Sequence, residues 1–165
     1  MTNKTPIKRN QELVVLSQEH HHALVFCTRL KKAYLTDVKT LQLFVDDFWS
    51  TNTATHFDNE EKWLLPEMEN NEIKNQFIAE HQQIRALVSQ IKNATDEVVE
   101  KAVELARVLN NHVRFEERIL FPYLEKKIPA DKMAEIGIAL SEVNITSDSY
   151  RNQKFTPEFW KIEKK

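Results

Sequence analysis

The chain has 165 residues and a formal charge of −2, with 23 basic side chains dispersed among 25 acidic ones, so it offers no basic face for nucleic acid and no polybasic patch for a membrane. One glycine and five prolines leave too little turn material for hairpins or a glycine-rich phosphate loop, and a single cysteine excludes an internal disulfide. No apolar run approaches the roughly 18 residues of a membrane span, and the polar, basic first ten residues have no apolar segment behind them; the expectation is one all-α domain working in the cytoplasm.

In chain order, Leu13, Leu16, Ala23, Cys27, Leu30 and Tyr34 recur at helical spacing and predict a first helix over about 11–35. Thr36-Asp37 supplies a cap, and Leu41, Phe44, Val45, Phe48 and Trp49 open a second helix reaching about 69. Asn70-Asn71 breaks the pattern before a third helix through Ile73, Phe77, Ile84, Val88 and Ile91. Thr95 caps a fourth that carries Val98, Ala102, Leu105, Leu109, His112 and Glu116. Four long helices with short links imply an up-down-up-down antiparallel four-helix bundle. Pro66 and Pro122 lie inside helical patterns and must end or kink their helices. A short fifth helix over about 130–143 completes a bundle domain of 1–143, and a C-terminal tail, 144–165, is expected to dock on it through Phe155, Phe159 and Trp160.

Within this frame one eleven-residue pattern occurs twice. His56-Phe57-Asp58-Asn59-Glu60-Glu61-Lys62-Trp63-Leu64-Leu65-Pro66 and His112-Val113-Arg114-Phe115-Glu116-Glu117-Arg118-Ile119-Leu120-Phe121-Pro122 match position by position at an offset of 56 residues (112 − 56). Side chains four apart share one helix face, so each copy projects an imidazole and a carboxylate together. The helix before each copy carries a Glu-His pair flanked alike, Glu19-His20 and Glu80-His81. That parallel selects His20 from the three consecutive histidines, with His21 in reserve. The candidate set is His20, His56, Glu60, His81, His112 and Glu116, enough for two metal ions with each carboxylate able to bridge them. Imidazole and carboxylate without thiolate favour iron, with zinc or manganese fitting the same donors. Glu61 and Glu117 read as outward-facing partners of nearby cations, Arg85 as solvated, and Cys27 as a small apolar residue near the site.

These residues resemble the hemerythrin-like family, the HHE cation-binding domains, over about 13–124. The resemblance implies a non-haem di-iron centre, with Glu60 and Glu116 bridging and His20, His56, His81 and His112 as terminal ligands. The oxygen carriers of that family have a His-x-x-x-His pair on the third helix and end on His-x-x-x-x-Asp. Here Phe77 and Arg85 stand four residues either side of His81, and the last motif is His112-x-x-x-Glu116. A four-His, two-Glu set also resembles the di-iron proteins of iron-sulfur cluster repair, without their N-terminal cysteine-bearing domain.

The expected function is a di-iron protein binding oxygen, peroxide or nitric oxide for sensing, storage or detoxification. The alternatives are a di-iron oxidoreductase or cluster-repair protein, which would need a redox partner, and an iron or zinc buffer.

Overall fold

The computed structural model describes residues 9–142 and 158–161, and among them there is no strand. Helix α1, Val14–Leu30, follows a single 3₁₀ turn at Gln11–Leu13 that Asn10 caps. It ends five residues earlier than the periodicity implies: the chain reverses through a separate turn at Ala33–Leu35, and Tyr34 is exposed. Asp37 accepts a hydrogen bond from the Thr40 amide at 2.8 Å and starts α2, Val38–Phe48. A π turn at Trp49–Thr53 joins α2 to α3, Ala54–Trp63, as one rod. Asn71 caps α4, Glu72–Asn93. Helix α5, Val98–Phe115, is preceded by Glu97 in the left-handed region at φ 55°, with no capping side chain. Thr95 is therefore not the cap; the short link reverses at Glu97 instead.

The two prolines part company. Pro66 sits in a closing 3₁₀ turn, Leu65–Glu67, after which Met68 is extended and the rod stops. Pro122 is passed: a π turn at Glu116–Leu120 leads into α6, Phe121–Lys127, and the fourth rod continues. A final helix, α7, spans Ala130–Glu142 and packs on the Gln11–Leu13 turn, where Gly137 leaves room for the Glu12 side chain.

Cross-contacts fix an up-down-up-down order. Gln42 near the start of the second rod donates to the Ile91 carbonyl near the end of the third at 2.9 Å, and Phe26 of α1 stacks on Phe48 of α2. The core divides into two apolar clusters. One holds Ala23, Phe48, Ile84 and Leu105; the other holds Leu16, Leu64, Phe77 and Leu120. On three rods the boundary falls at a buried polar residue, His20, Glu60 and His81, and on the fourth it falls between Val113 and Phe115, inside the buried His112–Glu116 pair. The bundle is thus two apolar blocks around one polar layer. Phe159 and Trp160 join the first block against Phe44, with Arg29 over the indole; Phe155 lies outside the described residues. Cys27 is buried in the same block, and burial pushes its thiol up to about 12.

Candidate metal centre

The polar layer gathers all six sequence candidates. Helix α1 contributes His20, α3 His56 and Glu60, α4 His81, and α5 with its π turn His112 and Glu116. All are buried, the two glutamates completely at 0 % exposure, whereas His21 is exposed and the inward position belongs to His20. Two overlapping groups form: His20, His56, Glu60 and Glu116, and Glu60, His81, His112 and Glu116, with one donor atom from each residue within 4.8 Å of the others. Each group takes its histidines from one half of the repeat, and both glutamates belong to both.

The imidazoles point Nε2 inward. Nε2 of His20 is 2.9 Å from Glu116 Oε1, that of His56 2.5 Å from Glu60 Oε1, that of His112 3.3 Å from Glu116 Oε1, and that of His81 3.8 Å from Glu116 Oε2. Closeness is not pairing here. His56 Nε2, His81 Nε2, His112 Nε2, both Glu60 oxygens and Glu116 Oε2 are buried without a hydrogen-bond partner. Buried polar atoms are normally satisfied, and six orphans converging on one point fit cations among them.

Four outer carboxylates hold the other ring nitrogens. Nδ1 of His20 donates to Glu117 at 2.9 Å, that of His56 to Glu19 at 3.3 Å, that of His81 to Glu61 at 3.0 Å and that of His112 to Glu80 at 2.8 Å. A carboxylate can only accept, so it fixes the proton on Nδ1 and frees the Nε2 lone pair for a metal. The pattern obeys the internal repeat. Glu19 and Glu80, each just before a histidine, serve His56 and His112 of their own halves; Glu61 and Glu117, each just after an inner glutamate, serve His81 and His20 across the halves. Sequence reasoning missed this role, although the doubled Glu-His and Glu-Glu pairs carried the signal.

The cations assigned to Glu61 and Glu117 are real, but they act inward as well. Arg85 grips both oxygens of Glu61 and lies over Phe57, correcting its reading as solvated. Arg9 pairs with Glu117 at 3.0 Å and with Glu125 at 2.7 Å, and lies over Phe121. Each guanidinium backs a Glu-His pair whose imidazole stacks on the same ring: His81 on Phe57 at 3.8 Å, His20 on Phe121 at 5.4 Å.

Charge reflects this crowding. Burial acts to lower the histidines, but the surrounding carboxylates outweigh it: His20 is raised by Glu116 and Glu117, His56 is raised well above its ordinary value by Glu60, Glu116 and Glu19, and His112 is raised to about 10 by Glu116 and Glu80. Burial and the neighbouring Glu116 raise Glu60; Glu116, despite burial, is held well below the usual range by His112 and His20. Burial likewise works against ionisation of Glu61 and Glu117, yet Arg85 with His81, and His20 with Arg9, hold both carboxyls low. Six carboxylates thus crowd four imidazoles with two guanidinium groups behind them, and the carboxylates favour the protonated forms of His20, His56 and His112.

An all-helical bundle enclosing a buried histidine and carboxylate cage of this kind is a cation-binding domain. The chain belongs to the hemerythrin family: the model of the hemerythrin HHE cation-binding domain matches residues 12–124. No curated protein and no solved structure matches the chain significantly. None of the described helices is long and apolar enough to cross a membrane.

Proposed function

We propose that this is a cytoplasmic di-iron protein that binds oxygen or a related small ligand, peroxide or nitric oxide, for sensing, storage or detoxification. His20 and His56 would hold one ion, His81 and His112 the other, and Glu60 and Glu116 would be shared. The carrying observation is that two four-residue donor groups overlap in the two glutamates, whose free oxygens meet three free imidazole nitrogens. Bound iron would supply an electron-rich centre for a ligand at a position the protein leaves open.

The chain's own residues prepare that chemistry. The four outer glutamates set the ring orientation and tautomer, so the donors are in place before metal arrives. The two apolar blocks enclose the layer on either side and lower the local dielectric, strengthening each ion-ligand contact. Neutral imidazoles with two inner carboxylates leave net positive charge on two divalent ions, which favours electron-rich ligands.

The test is metal content of untagged protein from iron-supplemented growth, with optical spectra before and after reduction and exposure to oxygen. About two irons per chain with oxygen-dependent charge-transfer bands supports the reading. Zinc alone, or spectra indifferent to oxygen and peroxide, overturns the ligand chemistry. Steady consumption of ligand with an added electron donor would make it an oxidoreductase rather than a stoichiometric binder.

A further inference from the structure

Where the Gln11–Leu13 turn meets α6 and α7, an open cleft of about 550 Å³ carries three charged side chains, Arg9, Glu12 and Glu125. Arg9 joins this cleft to the centre. Its Nη1 donates to Glu125 Oε1 at 2.7 Å, and its Nη2 holds both the Glu117 carboxylate, at 3.0 Å, and the Glu117 carbonyl. Glu117 accepts from His20 Nδ1 at 2.9 Å, and His20 Nε2 faces Glu116 in the buried layer. Oxygen and nitrogen donors therefore lead from open solvent to the layer through Glu12, Glu125, Glu117, His20 and Glu116, with one cation lodged among them.

Arg9 has the properties of a removable plug. It precedes the first turn and belongs to no helix, so its side chain can turn outward without unwinding one. Although its side chain is only 9 % exposed, Nε is buried without a hydrogen-bond partner, a cost that the inward position carries and an outward one sheds. Glu12, Glu117 and Glu125 bring three negative charges to its one positive charge, so a divalent ion in its place compensates them better. Arg85 is built differently: it is rooted in the middle of α4 and closes on both oxygens of one carboxylate, Glu61.

We infer that this cleft is the entry route for divalent metal ions: Glu12 and Glu125 collect the ion, and Arg9 swings away from Glu117 to admit it to His20 and the inner carboxylates. The inference rests on the two-metal reading for the ion's destination, while the cleft and its plug are made by the chain alone. Among the described residues, three or more donor side chains converge only in the central layer, so the cleft passes an ion inward and does not keep it.

Two arms test it. Metal-free protein is mixed rapidly with cobalt(II), uptake is followed by absorbance, and release is followed into a chelator. Glu12→Gln should slow uptake about threefold or more at low salt, with the difference shrinking as salt screens the cleft. A route leaves the equilibrium untouched, so cobalt content should stay the same and release should slow by the same factor. Arg9→Gln should speed uptake, and Arg85→Gln should not. Unchanged uptake in Glu12→Gln, equal slowing in Glu135→Gln on the outer face of α7, or equal acceleration in the two arginine variants overturns the proposal. The second arm uses Glu60→Leu, which is expected to hold no ion in the layer. Manganese(II) at a small fraction of the protein concentration should broaden the amide resonances of Glu12 and Glu125 before that of Glu135; broadening in no such order refutes the route. Parent protein that takes up no cobalt would sink the two-metal reading, while this arm still decides the cleft.

Discussion

The two halves of the centre are built from one repeat, yet they diverge beside their histidines. In the first half the π turn precedes the His-Glu pair and ends on the polar residues Asn52 and Thr53; in the second it begins at Glu116 itself. At the repeat offset the counterparts of Asn52 and Thr53 are Val108 and Leu109, apolar residues in the regular helix α5. The second half is closed instead by rings, with Phe57 at 3.8 Å and Phe77 at 4.0 Å from His81. Equivalent donors and unequal surroundings mean that metal binding should be nearly symmetric while access for a ligand is one-sided.

The largest expected effect tests the symmetric part. Glu60→Ala and Glu116→Ala should each abolish binding of both ions, whereas His20→Ala or His81→Ala should leave about one ion on the intact half; elemental analysis after dialysis reads the difference. A shared glutamate whose loss removes only one ion would break the equivalence. The metal-free protein supplies a control. Glu60 is a fully buried carboxyl with both oxygens unpartnered, so Glu60→Leu should leave the metal-free melting temperature unchanged or raised while abolishing the metal-induced increase.

Next in size is the ring closure of the second half. Phe77 has 0 % exposure and touches His81, so Phe77→Ala should cost about 3–5 kcal/mol in denaturant unfolding. It should also weaken the His81–His112 site more than the other. A loss of stability with both sites weakened alike would make Phe77 a core residue only.

His112 adds a pH effect. Its pKa rises from 6.5 to about 10 in the metal-free fold, so its contribution to stability is fully present below 6.5 and is lost as pH climbs toward 10. Metal requires the deprotonated Nε2 and competes with that proton. The metal-induced rise in melting temperature should therefore grow with pH across this window, and uptake at pH 8 should release protons, measurable by pH-stat. A shift independent of pH would mean that His112 is already neutral without metal.

The inner cage was legible because ligand chemistry imposes spacing along one helix, and chance seldom produces a doubled His-x-x-x-Glu together with a doubled Glu-His. What the spacing could not carry was anything that closes between rods. Glu80 meets His112 from another helix, and Arg9 reaches Glu117 across 108 residues, so neither contact has a local period. The π turns were hidden because one wide turn shifts the register without changing residue type. Pro66 and Pro122 occupy the same repeat position, and Met68 and Leu124 two residues on are both buried in the second apolar block; what differs is the backbone, extended at Met68 and helical at Leu124, which residue type alone does not announce.

The smallest expected effect concerns the two guanidinium groups, which perform the same task in unequal settings. Arg9 is 9 % exposed and anchored by both Glu117 and Glu125, whereas the Arg85 side chain is 35 % exposed and shared with the outer Asp58. Solvent screens the second pair more. Arg9→Ala should therefore loosen the His20–His56 site by about tenfold, the low end for loss of an outer partner of a metal-bound histidine, and Arg85→Ala should loosen the His81–His112 site by less. Stepwise metal constants from chelator competition decide it, and Arg9→Lys should recover only part of the loss because one ammonium cannot reproduce the two-pronged grip. Equal losses in the two variants, or a loss that falls on the opposite site, would show that the outer pairs stabilise the bundle as a whole and do not set individual imidazoles.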